Sequence, residues 1–435
     1  MVKREMYMKR IRPFIGTDLI KVMTGIRRSG KSVMLELIKQ ELIDSGVSSS
    51  QFISINFEDM RYTHLQTAKA LYDEISSRSA GIDGKIYLFF DEIQEVDAWE
   101  KCINSFRVEL DCDIYITGSN AYLLSSELST YLSGRYVEIK VLPLSFREFL
   151  DFHGYKLTER KSPAGGVKKR IMDDDGEVYD AKELFDAYTR FGGMPMLADV
   201  GLEVDKVTAA LEGVYSAAVI NDILEREKRK GQRTITDAVL LRKIIMFLAD
   251  NIGNNTSATS IGNTLVNEGL LKNGNRKTKP AVQTIQAYIK ALTEAYFFYE
   301  IKRFDIKGKE YLRTLGKYYI VDIGLRNYLL GFREGDSGHI LENIIFFELM
   351  RRGYDVAIGK IDNQEVDFIA TKTDEKKYIQ VTETMNAPET RERELAPLRK
   401  IRDSYEKIVI ALECDLTQTQ DGIKIIRALD FLLED

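Results

Sequence analysis

Two short groups of residues in the first quarter of the chain have types and spacing suited to phosphate chemistry. The first is the stretch Gly25-Ile26-Arg27-Arg28-Ser29-Gly30-Lys31-Ser32, which follows an apolar run and precedes a helical pattern. Glycines at this spacing let backbone N–H groups turn inward around an anion, and the helix adds its positive N-terminal end. A strand-to-helix turn that merely contains Lys-Ser is the alternative. The predicted nucleotide contacts are Gly25, Arg28, Ser29, Gly30, Lys31, Ser32 and Val33.

The second group is Asp91-Glu92, which ends the apolar run Ile86 to Phe90. Such a run is typical of a parallel strand buried on both faces, and ligands of open α/β sheets bind beyond the carboxyl ends of their strands. We expect Ser32 and Asp91 to hold Mg²⁺, Lys31 to contact the β and γ phosphates, and Glu92 to activate water. The alternative is an ordinary solvated loop start.

Two further positions are candidates for contacts with a transferring phosphoryl group. Asn120 and Ser119 both follow the apolar strand Ile114 to Thr117, and either could sense the γ phosphate, although Gly-Ser-Asn is also an ordinary turn signal. Arg135 could supply positive charge in its own subunit or in a neighbour's, with a surface ion pair as the alternative.

Composition limits the class of protein. The chain has 435 residues, a net charge of −5 and 44% hydrophobic residues, which predicts a soluble globular protein of several domains. We find no uncharged apolar run long enough to cross a bilayer and no leader pattern at the N-terminus, so we expect a cytoplasmic location. Three scattered cysteines and three isolated histidines give no support for a zinc site, a disulfide framework or a Ser-His-Asp triad.

The middle of the chain predicts a linker, a helical segment and a winged helix. Residues 154–179 are polar and predict an exposed loop, and residues 180–238 predict a helical lid. Residues 239–337 show helix, turn, helix and two strand-like segments around Lys307-Gly308-Lys309, the order of a winged helix. Such folds bind DNA or pack against protein. The basic residues that could meet DNA phosphates are Lys272, Arg276, Lys277, Lys279, Lys290, Lys307 and Lys309.

Residues 338–435 mix helices and strands in an order that resembles the restriction-endonuclease-like core. Glu342 and Asp367 match its acidic positions, and Gln380 takes the third. Thr382 stands where that fold has a lysine, so a cation that would stabilise the transition state is missing. We therefore expect a domain that binds or supports rather than one that cleaves.

Taken together, the motifs resemble those of bacterial and archaeal AAA-type ATPases with a C-terminal domain of unknown function. The resemblance rests in part on Tyr318 to Arg326, and its narrower elements are Pro143-Leu144-Ser145-Phe146 and Gly192-Gly193-Met194-Pro195. The resemblance implies an α/β fold with a P-loop parallel-sheet core at residues 1–153, then the lid, the winged helix and the nuclease-like domain. It implies ATP rather than GTP, because no Asn-Lys-x-Asp motif is present.

Three functional hypotheses follow. The leading one is an Mg²⁺-dependent ATPase that binds DNA and remodels it or moves along it as a homo-oligomer. The second is a nucleotide-controlled switch that holds a protein partner, and the third is an ATP-gated nuclease. DNA-stimulated hydrolysis favours the first, a slow DNA-indifferent rate favours the second, and metal-dependent cleavage that depends on Asp367 is needed for the third.

Overall fold

The structure is a computed structural model that divides into two compact units, each described by itself. The first unit comprises Met1–Leu142 and Glu294–Tyr296, and the second comprises Pro143–Thr293 and Phe297–Asp435. The structure describes residues 2–121, 132–161, 167–225, 235, 237–267, 272–273, 276–277, 280–311, 316–414 and 418–434.

The first unit is built around a five-stranded parallel sheet with the strand order β2-β3-β4-β1-β5. Its strands are β1 (Ile20–Thr24), β2 (Phe52–Asn56), β3 (Ile86–Asp91), β4 (Cys112–Gly118) and β5 (Tyr136–Lys140). The described helices are α1 (Glu5–Ile11), α2 (Lys31–Asp44), α3 (Ala68–Ser79) and α4 (Trp99–Glu109). This arrangement confirms the predicted α/β core with a parallel sheet.

Both faces of this sheet are covered. Every residue of β1 and β3 is buried, as expected of parallel strands with apolar runs. Alternate residues of β3 enter two different clusters, with Leu88 and Phe90 on one face and Phe89 on the other. Strands β4 and β5 lie on opposite sides of β1, so the chain passes across β1 on its way from β4 to β5. The carboxyl end of β1 therefore lies at a topological switch point of the sheet, where ligands of α/β folds bind.

The second unit begins at Pro143 rather than at the predicted boundary after residue 153. Its helices are α5 (Phe146–Phe152), α6 (Ala181–Phe191), α7 (Leu197–Val200), α8 (Val204–Ser216), α9 (Ala238–Asp250), α10 (Ala258–Asn267), α11 (Val282–Glu294), α12 (Ile323–Leu330), α13 (Ser337–Arg351), α14 (Pro388–Lys400) and α15 (Ala428–Leu432). A π-helix, Ala217–Glu225, continues α8. Ser145 and Glu148 form a capping box at the start of α5.

The predicted exposed loop at residues 154–179 is wrong. This segment forms a three-stranded antiparallel sheet of β6 (Lys156–Lys161), β7 (Val167–Met172) and β8 (Val178–Tyr179). The sequence does not indicate these strands, because their residues are mostly polar or charged and hydrophobic alternation is weak.

The predicted wing is also different in detail. Strand β11 (Phe298–Ile301) pairs with β14 (Lys317–Ile320), whereas β12 (Arg303–Asp305) pairs with β13 (Glu310–Tyr311) and with β15 (Asp355–Ile361). The tip around Lys307 therefore extends another sheet. A further short ladder joins β9 (Lys272–Asn273) to β10 (Arg276–Lys277), between α10 and α11 in the chain.

That other sheet forms the core of the C-terminal segment. Among the described residues it has eight strands in the order β13-β12-β15-β16-β17-β18-β20-β19. The strands not yet given are β16 (Gln364–Thr371), β17 (Lys376–Thr384), β18 (Glu406–Glu413), β19 (Gln418–Gln420) and β20 (Ile423–Arg427). One apolar cluster on this sheet includes Leu395 and Leu398 of α14.

By length and composition alone, one helical stretch in the described part of the chain could cross a membrane. It runs from Val204 to Leu224 and has a mean hydropathy of 1.3. Val207, Leu211 and Val214 of this stretch are buried within the second unit. A buried core helix passes the same test, so the stretch is weak evidence for a membrane protein.

Candidate nucleotide-binding site

The phosphate loop leaves the carboxyl end of β1 in a conformation that depends on glycine. Gly25 has φ +144°, and a Cβ there would lie 2.2 Å from the carbonyl oxygen of Val141. Gly30 has φ +97° and is the N-cap of α2. Because only glycine adopts both conformations without strain, the two positions explain the motif spacing.

The N-terminus of α2 has no side-chain cap. Backbone N–H groups in the first turn of a helix lack intrahelical acceptors, and they are suited to phosphate oxygens. Lys31 opens this helix, is 4% exposed, and donates from Nζ to the carbonyl oxygens of Gly25 at 3.0 Å and Ile26 at 3.2 Å. The lysine side chain therefore lies over its own loop, where a nucleotide's phosphates would meet it.

Asp91 ends β3 and is oriented by both neighbouring strands. Thr117 of β4 donates to its Oδ1 at 2.5 Å, and Asn56 of β2 donates to its Oδ2 at 3.1 Å. Burial raises the pKa of Asp91, and the adjacent Glu92 raises it further, while hydrogen bonding with Thr117 and Ser32 partly offsets this. The predicted metal pair, Ser32 and Asp91, is therefore brought together.

Glu92 lies beside Lys31. Its backbone is left-handed, with φ +53°, and its N–H donates to Thr117 Oγ1 at 2.9 Å. The Lys31 Nζ atom is 3.6 Å from Glu92 Oε1, and both side chains are almost completely buried. Burial alone would raise the pKa of Glu92, but Lys31, Gln94, Arg27 and Ser119 together hold that pKa below its usual value. The carboxylate is therefore kept ionised, as a base must be at neutral pH.

The strand β4 brings the two remaining candidates to the same edge of the sheet. Ser119 and Asn120 directly follow its carboxyl end and are buried. A side-chain hydrogen bond from Ser119 helps to lower the pKa of Glu92. Both stay eligible as contacts of the γ phosphate.

Arg135 lies at the amino end of the parallel strands, opposite the end that carries the phosphate loop. Its carbonyl oxygen accepts from the N–H of Ile20, the first residue of β1, whereas the phosphate loop follows the last, Thr24. One strand of this length spans about 15 Å. The exposed guanidinium donates to Asn104 Oδ1 at 3.1 Å. Arg135 therefore lies away from the phosphate loop of its own subunit, and the predicted role in a neighbouring subunit and the alternative of a surface ion pair both stay open.

Several residues that support the site were missed from the sequence. Arg4 is 1% exposed and donates from Nη1 to the carbonyl oxygen of Ser29 and from Nη2 to that of Leu142, both at 2.9 Å. Arg27, within the loop, is ion-paired with Glu58 at 2.6 Å. Gln94 donates to Glu92. Among the missed residues, only Asn56 and Thr117, which donate to Asp91, could have been found from the sequence. Each of them stands at or near the carboxyl end of a strand.

The donor set fits a nucleotide with Mg²⁺. Hard cations prefer oxygen ligands, and the Ser32 hydroxyl and Asp91 carboxylate are of that type. The glycine-dependent loop, the uncapped helix and Lys31 match the phosphate side of such a ligand. The residues present therefore fit Mg²⁺-ATP on chemistry as well as on spacing.

The residues predicted to contact DNA are more scattered. Lys290 is exposed on α11, and Lys307 at the β12–β13 tip is ion-paired with Asp362 at 2.5 Å. Only the backbone pairing of Arg276 and Lys277 is described, and Lys279 lies outside the described residues. Among these predicted contacts, the structure therefore describes the side chains of Lys290, Lys307 and Lys309 only.

Comparison with known protein families agrees with the site. A family model for an AAA domain matches residues 17–150, and one for the domain of unknown function DUF8612 matches residues 182–336. The matched AAA segment contains the loop, Asp91 and Glu92. The first unit is therefore an AAA-type P-loop domain, a class that binds nucleotides.

Two relatives extend along nearly the whole chain. An uncharacterised protein of Haemophilus influenzae is 39% identical over 436 residues, which cover 100% of this chain and 99% of its own. Uncharacterised protein MJ1544 of Methanocaldococcus jannaschii is 31% identical over 425 residues, covering 94% of this chain and 85% of its own. This chain belongs to the family of these two proteins.

One solved structure has a weaker likeness. The Aeropyrum pernix ORC1 protein in complex with DNA covers 76% of this chain and 92% of its own, with 13% identity and a TM-score of 0.31. A TM-score of this size supports no argument about fold or binding.

Proposed function

We propose that this protein is an Mg²⁺-dependent ATPase that binds DNA and couples hydrolysis to DNA remodelling or translocation as a homo-oligomer. The observation that carries the proposal is the Lys31–Glu92 pair, 3.6 Å apart at the carboxyl edge of the parallel sheet. A lysine at a phosphate loop is suited to holding phosphates, and an ionised carboxylate beside it is suited to positioning the attacking water.

Each residue of the site has a distinct task. The loop N–H groups and Lys31 bind and orient the phosphates, and Ser32 and Asp91 hold Mg²⁺, which neutralises phosphate charge when bound. Glu92 accepts the proton of an attacking water at its carboxylate. Gln94 and the left-handed backbone at Glu92 orient that carboxylate. Thr117 accepts from the backbone N–H of Glu92 and donates to the Asp91 carboxylate, so it links the two residues.

The DNA half of the proposal is supported by one helix face. Gln283, Gln286 and Lys290 of α11 are exposed and lie on the same side, whereas Ile285, Tyr288, Ile289 and Leu292 are buried. Glutamine amides suit adenine edges in a major groove, and lysine suits phosphates. We expect α11 to be the element that contacts duplex DNA.

Two measurements test the proposal separately. Steady-state ATP turnover should fall at least about 100-fold in Glu92→Gln and in Lys31→Ala. Binding to duplex, forked and four-way DNA at low salt should weaken in a Gln283→Ala, Gln286→Ala, Lys290→Ala triple variant. Undetectable DNA binding by the unaltered protein at low salt would contradict the DNA half alone, because electrostatic binding is strongest there.

A further inference from the structure

The lysine that the nuclease-like sequence pattern lacks at Thr382 is supplied to the same region by a different strand. Lys317 opens β14 and is 4% exposed. Its Nζ atom lies 2.8 Å from Glu342 Oε1 on α13 and 2.8 Å from Glu365 Oε1 on β16. Thr382 instead donates to the carbonyl oxygen of Thr384 on its own strand, at 3.4 Å.

Donors of the chain itself occupy one oxygen of Glu342 and both oxygens of Glu365. Glu342 Oε1 also accepts from the Tyr319 hydroxyl at 2.5 Å. The second oxygen of Glu365 accepts from Asn255 at 3.0 Å. Burial would lower the pKa of Lys317, but Glu342, Asp367 and Glu365 more than offset that effect and raise it. The ammonium is therefore a permanent positive charge.

The other two nuclease-like residues are engaged in the same way. Gln380 Oε1, the oxygen that a metal would need, accepts from the backbone N–H of Asp367 at 2.8 Å. Gln380 Nε2 donates to Glu394 at 3.0 Å, and Asp367 Oδ2 accepts from the N–H of Val381 at 2.8 Å. Within the described part of the chain, no three acidic, histidine or cysteine side chains are grouped closely enough to hold a metal.

We propose that the Lys317 ammonium takes the place of a divalent cation. The ammonium joins Glu342 to Glu365, and it leaves the C-terminal sheet without a nuclease-type metal site. A metal would have to displace a buried ammonium and leave it without its carboxylates, which is strongly unfavourable. Lys317 is also poorly placed as a catalytic lysine, because both of its acceptors would have to be released before it could meet a substrate. The ion pairs instead tie β14 to α13 and β16.

The experiment uses the full chain without nucleotide, with Asp91→Asn in every sample so that the phosphate-loop site contributes no metal binding. Thermal unfolding is recorded in EDTA and in Mn²⁺ for the parent, Lys317→Met, Lys317→Met with Glu342→Gln, and Lys307→Met. Lys307 is the matched control, because it is an exposed lysine of the same unit paired with Asp362.

We expect the parent to unfold at the same temperature in EDTA and Mn²⁺. Lys317→Met should unfold at a temperature roughly 5–10 °C lower, because the Glu342 and Glu365 carboxylates then face each other without a cation between them. Adding Glu342→Gln should recover at least half of that loss, and Lys307→Met should change little. Millimolar Mn²⁺ should raise the unfolding temperature of Lys317→Met.

Two results would overturn the proposal. One is Mn²⁺ stabilisation of the parent that disappears when Asp367→Asn is added. The other is Mn²⁺-dependent DNA cleavage by the parent that Lys317→Met abolishes, which would make Lys317 a catalytic residue. If Lys317→Met does not fold, the parent and the double variant still decide between these outcomes.

Discussion

The Lys31 ammonium and the Glu92 carboxylate form a buried ion pair 3.6 Å apart, although the two residues are 61 positions apart in the chain and follow different strands. Lys31 starts the helix after β1, and Glu92 follows β3. The pair keeps Glu92 ionised and holds Lys31 over the loop carbonyls. When a nucleotide binds, its phosphate oxygens would replace Glu92 and the loop carbonyl oxygens as partners of Lys31. Nucleotide binding would therefore free the Glu92 carboxylate to act as the base.

Arg4 should be needed for nucleotide affinity although it lies outside every motif. Arg4→Met removes donors from the carbonyl oxygens of Ser29 and Leu142, and each buried acceptor left unpaired costs about 1–3 kcal/mol. We expect a lower unfolding temperature and about tenfold weaker ATP binding, measured by calorimetry. Lys9→Met, an exposed position on α1, is the control; equal behaviour of the two variants would contradict the assignment.

Arg135 should act between subunits. Because it lies at the sheet edge opposite the phosphate loop, Arg135→Ala should not weaken ATP binding by an isolated subunit. Mixing it with Lys31→Ala subunits should restore part of the turnover that each variant lacks alone, since one supplies the loop and the other the arginine. Full activity of Arg135→Ala alone would show that Arg135 has no catalytic role.

Gly192 and Gly201 provide a matched pair for testing close packing. Their φ angles are +85° and +82°, but a Cβ at Gly192 would lie 2.3 Å from Asp322 Oδ1, whereas Gly201 has open space. Both backbones have ψ near 180°, where a non-glycine residue is strained, so we expect Gly201→Ala to lower the free energy of unfolding by about 1–3 kcal/mol and Gly192→Ala by at least about 2 kcal/mol more. Equal losses in denaturant titrations would indicate that the contact with Asp322 does not matter.

Asp322 should make stability depend on pH. Burial raises its pKa to about 6, although backbone N–H groups of Gly193, Leu325 and Gly324 oppose the shift. The folded state therefore binds the proton more tightly than the unfolded state, and this contribution to stability is lost as pH rises from about 4 to 6. The loss is about 3 kcal/mol. Asp322→Asn should remove that slope between pH 4 and 7; an unchanged slope would assign it to other groups.

The strand-end chemistry could be predicted because it is local. A phosphate loop must follow a buried strand, and acids after another buried strand must reach the same edge of a parallel sheet. Lys31, Ser32, Asp91 and Glu92 were found for this reason. The position of Arg135 does not follow from the same logic, because Arg135 precedes β5 and therefore lies at the amino end of the strands.

The residues that could not be predicted act across long sequence separations. Arg4 reaches Leu142, and Lys317 reaches Glu342 and Glu365, with no periodicity or spacing that links them. The wing was mispredicted for a related reason, since β12 pairs with β15 of a later segment. Tertiary pairing overrides local pattern in both cases.

The most direct test of the central claim separates binding from hydrolysis in Glu92→Gln, with Glu36→Gln on the exposed side of α2 as its control. ATP affinity and phosphate release are measured on the same samples with Mg²⁺. We predict unchanged or tighter ATP binding with phosphate release at least about 100-fold slower in Glu92→Gln, and no change in Glu36→Gln. Phosphate release by Glu92→Gln at the rate of the unaltered protein would contradict the account.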